Sequence, residues 1–132
     1  KSYVAVPGEM GHCALMQGRT LLAEYVEPEW AGRLGLPPGN ASFQSFVTAL
    51  RVIEGEQAAE EWVEALAGNN LQIFENNTAT LTAVNEGTLD VGLINHYYVA
   101  AAETPPANTA LKFGAPGTAS ALVNVTGDVP LA

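Results

Sequence analysis

The chain has 132 residues, 48% of them apolar and 14% charged, with 14 acidic against 5 basic side chains and a net charge of −9. That balance excludes a disordered tract and argues against a nucleic-acid partner, whose phosphates an acidic surface repels. The apolar runs are short and broken by Gly, Pro or charge, so none reads as a membrane span, and the single cysteine, Cys13, allows no internal disulfide.

A chain of this length buries roughly two thirds of its unfolded surface in one core, so residues 1–132 are expected to form a single domain. Lys1 is not a natural start and no signal peptide precedes it, so the sequence reads as a processed or excised piece.

In chain order, "YVAV" (3–6) predicts a short strand halted by Pro7-Gly8, and "HCALM" (12–16) a second apolar run closed by Gly18. A brief strand follows from Arg33 to Leu36, stopped by Pro37-Pro38-Gly39. The period then changes: Phe43, Phe46, Val47, Leu50 and Ile53 share one helical face, with Asn40 or Ser42 as N-cap and Gly55 as the stop. Residues 56–68 predict a second helix with Ala59, Trp62, Val63 and Leu66 inward and its glutamates in solvent. "LQIF" (71–74) reads as a strand, 76–87 as a helix with an Asn or Thr cap and Gly87 at its end, and 88–94 as a strand in which Leu89, Val91 and Leu93 alternate with smaller or polar residues. A helical turn or two continues through "YVAAAE", 104–110 is a loop, and 111–113 and 121–126 are strands around the turn "GAPG". Strands and helices alternate, which defines an α/β class with a largely parallel sheet.

The strand 88–94 runs into Asn95-His96-Tyr97-Tyr98, four polar side chains with two phenols side by side. The tyrosines either cover the end of the sheet or face a ligand, because ligands of α/β sheets sit beyond the carboxyl ends of the strands. Ionising one phenol at pH 7 costs about 4 kcal/mol. A highly charged hard cation offsets that cost, and oxygen donors suit such an ion. The helix starts "NASF" and "NNTA" either are simply capped or hold an anion with their unpaired N–H groups. Cys13 lies in an apolar run and reads as buried, and two histidines with one cysteine build no closed zinc site. The Asn-X-Thr/Ser triplets at 40, 76 and 124 match a glycosylation pattern that arises often by chance.

The stretches "PEWAGRLGL", "NASFQSFVTALRV", "NNTATLTAVNEGTLDVGLINHYY" and "SALVNVTG" resemble, in this order, the ferric-ion-binding solute-binding proteins of bacterial ABC importers. The resemblance runs over most of residues 21–127. It implies one lobe, the second, of a type II periplasmic-binding-protein fold, closing with a missing first lobe on Fe(III) and a synergistic anion, phosphate or carbonate. It implies that Tyr97 and Tyr98 are iron ligands, that Asn77 and Asn95 contact the anion through their side chains, and that Asn40, Ala41 and Ser42 form the helix-start cradle for it. His96 has a variable match and is left out. The implied partner is an ABC importer membrane permease, and the implied location is periplasmic or otherwise extracytoplasmic, with a lipid anchor as one option in the full-length precursor. The chain is then a carrier and not an enzyme. An isolated lobe is expected to place its termini close together and to self-associate, as a homodimer, through its exposed cleft face. The competing expectations are a lobe that binds an anion without iron, an engineered or excised scaffold with no retained ligand, and a small hydrolase using Cys13 or His96, for which no nucleophile with base and orienting partner is recognisable.

Overall fold

The computed structural model describes residues 2–5, 25–95, 97–102 and 109–112. Five strands form one sheet: β1 (Ser2–Ala5), β2 (Leu34–Leu36), β3 (Gln72–Ile73), β4 (Val91–Leu93) and β5 (Thr109–Lys112). Their order is β3-β2-β4-β1-β5, and each neighbouring pair is parallel. The helices are α1 (Ala41–Glu54), α2 (Glu56–Gly68), α3 (Asn77–Asn85) and the single turn α4 (Tyr97–Ala100), with a 3-10 turn at Pro28–Trp30. The expected α/β class with a parallel sheet is the one observed. The apolar run at 12–16, the "GAPG" turn, the strand expected at 121–126, His12, Cys13 and the chain termini lie outside the described residues.

Alternation along the strands sorts side chains between two cores. Leu34, Leu36, Val91 and Leu93 join Phe43, Phe46 and Leu50 of α1 and Ala59, Trp62 and Leu66 of α2 in one cluster. Leu81, Ala83, Val84, Leu89 and Ile94 form the other, around α3. Helices thus cover both faces of the sheet, as a parallel sheet requires. The aromatic residues of the first core meet edge to face: Phe46 on Trp62 at 5.6 Å and 72°, Tyr25 on Trp30 at 5.0 Å and 86°. Arg33 lies 4.8 Å over the Trp30 ring and pairs with Asp90 at 2.7 Å, joining the entries of β2 and β4.

The sequence reading of α1 needs one correction. Ile53 continues the helical stripe yet is 50% exposed. A fourteen-residue helix is about 21 Å long, whereas a three-residue strand is about 10 Å, so the last turn of α1 overhangs the sheet. Val63, also expected inward, is exposed on the flank of α2. Thr109 and Ala110, expected in a loop, belong to β5 because they pair with Ser2 and Tyr3 of β1. Gly55 ends α1 as expected, at φ 99°, where an L side chain is strained.

The small residues of the strands mark where α3 and its approach come close. A Cβ on Gly92 would stand 2.8 Å from Thr80 Cγ2 and 3.0 Å from Val84 Cγ2, and one on Gly35 would stand 2.6 Å from the Phe74 ring. Gly92→Ala is therefore expected to cost about 1–3 kcal/mol through overpacking, read as a lowered urea midpoint with an unchanged slope.

Candidate functional site

The site is assembled where β2, β3 and β4 end and α1, α3 and α4 begin. Asn40, two residues after the Pro37-Pro38 stop, is the N-cap of α1: its Oδ1 accepts from Ser42 N at 2.9 Å and Phe43 N at 3.3 Å. Asn76 caps α3 the same way, accepting from Ala79 N at 2.8 Å. Asn77 is thereby the first helical residue, and its side chain is turned inward, 2% exposed. The chain leaves β4 through Ile94 and Asn95, and the Asn95 carbonyl accepts from Tyr98 N at 3.3 Å to start α4.

Three of these starts converge on the Asn95 carboxamide, which is 7% exposed. Its Nδ2 donates to Ser42 Oγ at 2.8 Å and to the Tyr97 hydroxyl at 3.2 Å, while its Oδ1 accepts from Asn77 Nδ2 at 3.4 Å. The Tyr97 ring stacks on Tyr98, with centroids 4.9 Å apart and planes at 29°. Tyr97 is 45% exposed, whereas Tyr98 is half-buried against the α3 core. The structure thus links Ser42, Asn77, Asn95 and Tyr97 by hydrogen bonds and adds Tyr98 by ring contact. Asn40 and Ala41 lie at the same helix start without entering that network. His96 lies outside the described residues.

The helix-start reading is altered in one respect. Two of the N–H groups expected to cradle an anion are occupied by the protein's own Asn40 oxygen, so an anion reaches them by displacing that carboxamide. Asn40→Ala removes both cap bonds and is expected to cost about 1 kcal/mol of stability, measured by thermal or urea unfolding.

Two features of the network were not read from the sequence. Ser42 takes part through its hydroxyl and not only its backbone, and Asn95 reaches the phenol two residues on. The i, i+2 spacing of Asn95 and Tyr97 across a strand-to-helix turn was the available signal.

The chemistry of the site is neutral oxygen and amide chemistry. Among the described residues no three His, Cys, Asp or Glu side chains gather to hold a metal. The phenols are the hard, ionisable oxygen donors of the site, which fits a trivalent cation and not a soft one. Arg33 stands before β2 and Arg51 near the far end of α1, so neither lies at this edge. A separate open groove of about 450 Å³ runs beside α3 between Phe74, Glu75, Thr82 and Glu86 and contains none of the network residues.

No family model matches the chain. Its sequence is similar to bacterial iron-binding proteins. The Fe(3+)-binding periplasmic protein of Serratia marcescens is 39% identical over 77 residues, 58% of this chain and 22% of that protein. The major ferric iron-binding protein of Neisseria gonorrhoeae is 34% identical over 74 residues, 56% of this chain and 22% of that protein. Iron uptake protein A2 of Synechocystis sp. is 34% identical, with 54% of this chain and 21% of that protein covered. Among solved structures, iron-bound HitA from Pseudomonas aeruginosa matches with a TM-score of 0.55 at 35% identity, over 58% of this chain and 25% of that one. The resemblance to ferric-ion-binding periplasmic proteins read from the motifs is the one these comparisons find, over a shorter stretch than residues 21–127. The chain spans about a fifth of the length of the curated relatives it matches.

Proposed function

We propose that this chain is one lobe, the second, of an extracytoplasmic ferric-iron carrier and that it binds Fe(III) through Tyr97 and Tyr98 together with an anion. The single observation that carries this reading is the stacked tyrosine pair at the carboxyl end of β4, hydrogen-bonded through Asn95 to the start of α1. Two phenol oxygens are a costly arrangement to ionise unless a high positive charge arrives to meet them.

The anion, phosphate or carbonate, would sit beside the metal between the starts of α1 and α3, against Ala41, Ser42, Asn77 and Asn95. Asn40 would release the α1 N–H groups to it. The Asn95 N–H now directed at Ser42 Oγ is the one such an anion would take over. In that arrangement the ferric ion itself supplies the compensating charge.

The relatives are named as iron-binding and iron-uptake proteins, which supports a carrier role without catalysis, delivering iron to an ABC importer permease. The rest of the ferric coordination sphere would come from water or from the first lobe. The face that closes on that lobe would be available for self-association as a homodimer, which sedimentation over a concentration series would reveal as a rising mass.

The test is a titration with Fe(III) supplied as a soluble chelate, with and without phosphate, followed in the visible region. Coloured phenolate–iron absorption is the expected result. Phosphate binding without colour would assign an anion-only lobe, and neither would leave a scaffold without ligand.

A further inference from the structure

Asn95 entered the reading as an anion contact, yet in the structure its two N–H groups are directed at a serine hydroxyl and a phenol oxygen. We infer that Asn95 is a positioning residue for Tyr97: one N–H holds that phenol oxygen as an iron ligand from behind, while the other, now on Ser42 Oγ, is the one left to the anion. The inference rests on the iron-binding reading above and assigns a role that the tyrosine pair alone does not contain.

The geometry separates the two tyrosines. Tyr97 stands nearly half exposed, and its ring is restrained by the face of Tyr98 and by the 3.2 Å bond from Asn95 Nδ2 to its hydroxyl. The carboxamide that makes this bond is itself buried and fixed at both ends. Ser42 Oγ takes the second N–H at 2.8 Å, and Asn77, almost wholly buried at the start of α3, donates to its oxygen at 3.4 Å. A planar group anchored on two helix starts is a stiff mount for a flexible phenol.

The bond also acts on the ligand oxygen when it carries charge. An N–H donated to a phenolate is a charge-assisted bond, and outer partners of this kind orient metal ligands and tune the metal. Donation draws electron density from the phenolate lone pairs and lowers the orbital from which charge moves to iron. Removing the donor raises that orbital and moves the phenolate-to-iron absorption of Tyr97 to longer wavelength. Tyr98 shares no such bond with Asn95 among those the structure shows, so the effect should be confined to one phenol.

The experiment is the visible spectrum and Fe(III) affinity of Asn95→Leu, which keeps the branched side-chain skeleton and removes its N–H donors, in the Tyr98→Phe and Tyr97→Phe backgrounds. With Tyr97 as the remaining phenol, the band is expected to move to longer wavelength and the affinity to fall several-fold. With Tyr98 as the remaining phenol, the band is expected to stay where it was. Equal band shifts in both backgrounds would mean a general structural role and overturn the inference, as would no shift in either. Should Asn95→Leu fail to fold, Ser42→Ala measured without added phosphate decides the matter, because there the 2.8 Å anchor is in place and its loss frees the carboxamide to turn. It should give a smaller shift in the same direction in the Tyr98→Phe background and none in the other, and an unchanged spectrum in both would overturn the inference. A parent chain without any iron colour removes the iron-binding reading first, an outcome distinct from a coloured parent indifferent to Asn95.

Discussion

Replacing Tyr97 and Tyr98 together by phenylalanine is expected to abolish the visible iron absorption, and either single change to weaken binding by at least tenfold. Each substitution deletes one oxygen and keeps the ring, so the stack of Tyr97 on Tyr98 and the packing of Tyr98 against the α3 core survive. Stability should therefore move by about 1 kcal/mol, the scale of one part-buried hydrogen bond, and unfolding curves run beside the titration would separate lost binding from lost fold. A phenol must release its proton to ligate, so affinity should fall as pH is lowered and rise as it is raised until ferric hydrolysis intervenes. Variants that bind iron like the parent would make the tyrosines packing residues at the end of a sheet.

The largest loss of stability is expected from Phe46→Ala. Phe46 is fully buried and lies between Phe43, at a centroid distance of 6.1 Å, and Trp62 at 5.6 Å, so it joins α1 to α2 over the sheet. Truncating a buried phenylalanine costs about 3–5 kcal/mol, a large part of the 5–15 kcal/mol that holds an ordinary domain together. Urea unfolding should show the midpoint falling steeply, and a loss below about 1 kcal/mol would mean that the two helices are joined in some other way. Because Phe46 is one turn from Ser42 on α1, iron binding should fall in step with the folded fraction and not independently of it.

The local signals in the sequence decided much of this architecture. Asn40 before a helical stripe and Gly55 after it placed α1, and the glutamate-rich run after Gly55 placed α2 with the bounds observed. Of the alternating Leu89, Val91 and Leu93, the last two lie in β4 and face α1 and α2, with Gly92 between them letting α3 approach, whereas Leu89 precedes the strand and joins the α3 core. What local pattern could not supply was how far neighbouring elements extend. Ile53 continues its stripe past the end of the sheet, and Thr109 becomes a strand residue only because β1 is there to pair with it.

The candidate site divides in the same way. That the tyrosines and the asparagines gather at the carboxyl edge followed from placing each at the end of a strand or the start of a helix. The resemblance named which of them to watch. The bonds between them did not follow, since Asn95 to Ser42 spans 53 positions and joins α1 to the end of β4. Nor did the capping of Ser42 N and Phe43 N by Asn40, in which the protein's own carboxamide stands where an anion is proposed to bind.

The most direct measurement is diffraction at the iron absorption edge from crystals of the chain soaked with Fe(III) and phosphate. An anomalous peak at bonding distance from the hydroxyl oxygens of both Tyr97 and Tyr98, with phosphate density beside the starts of α1 and α3, is the predicted result. Iron located elsewhere on the acidic surface, with the two phenols still stacked and unliganded, would contradict it.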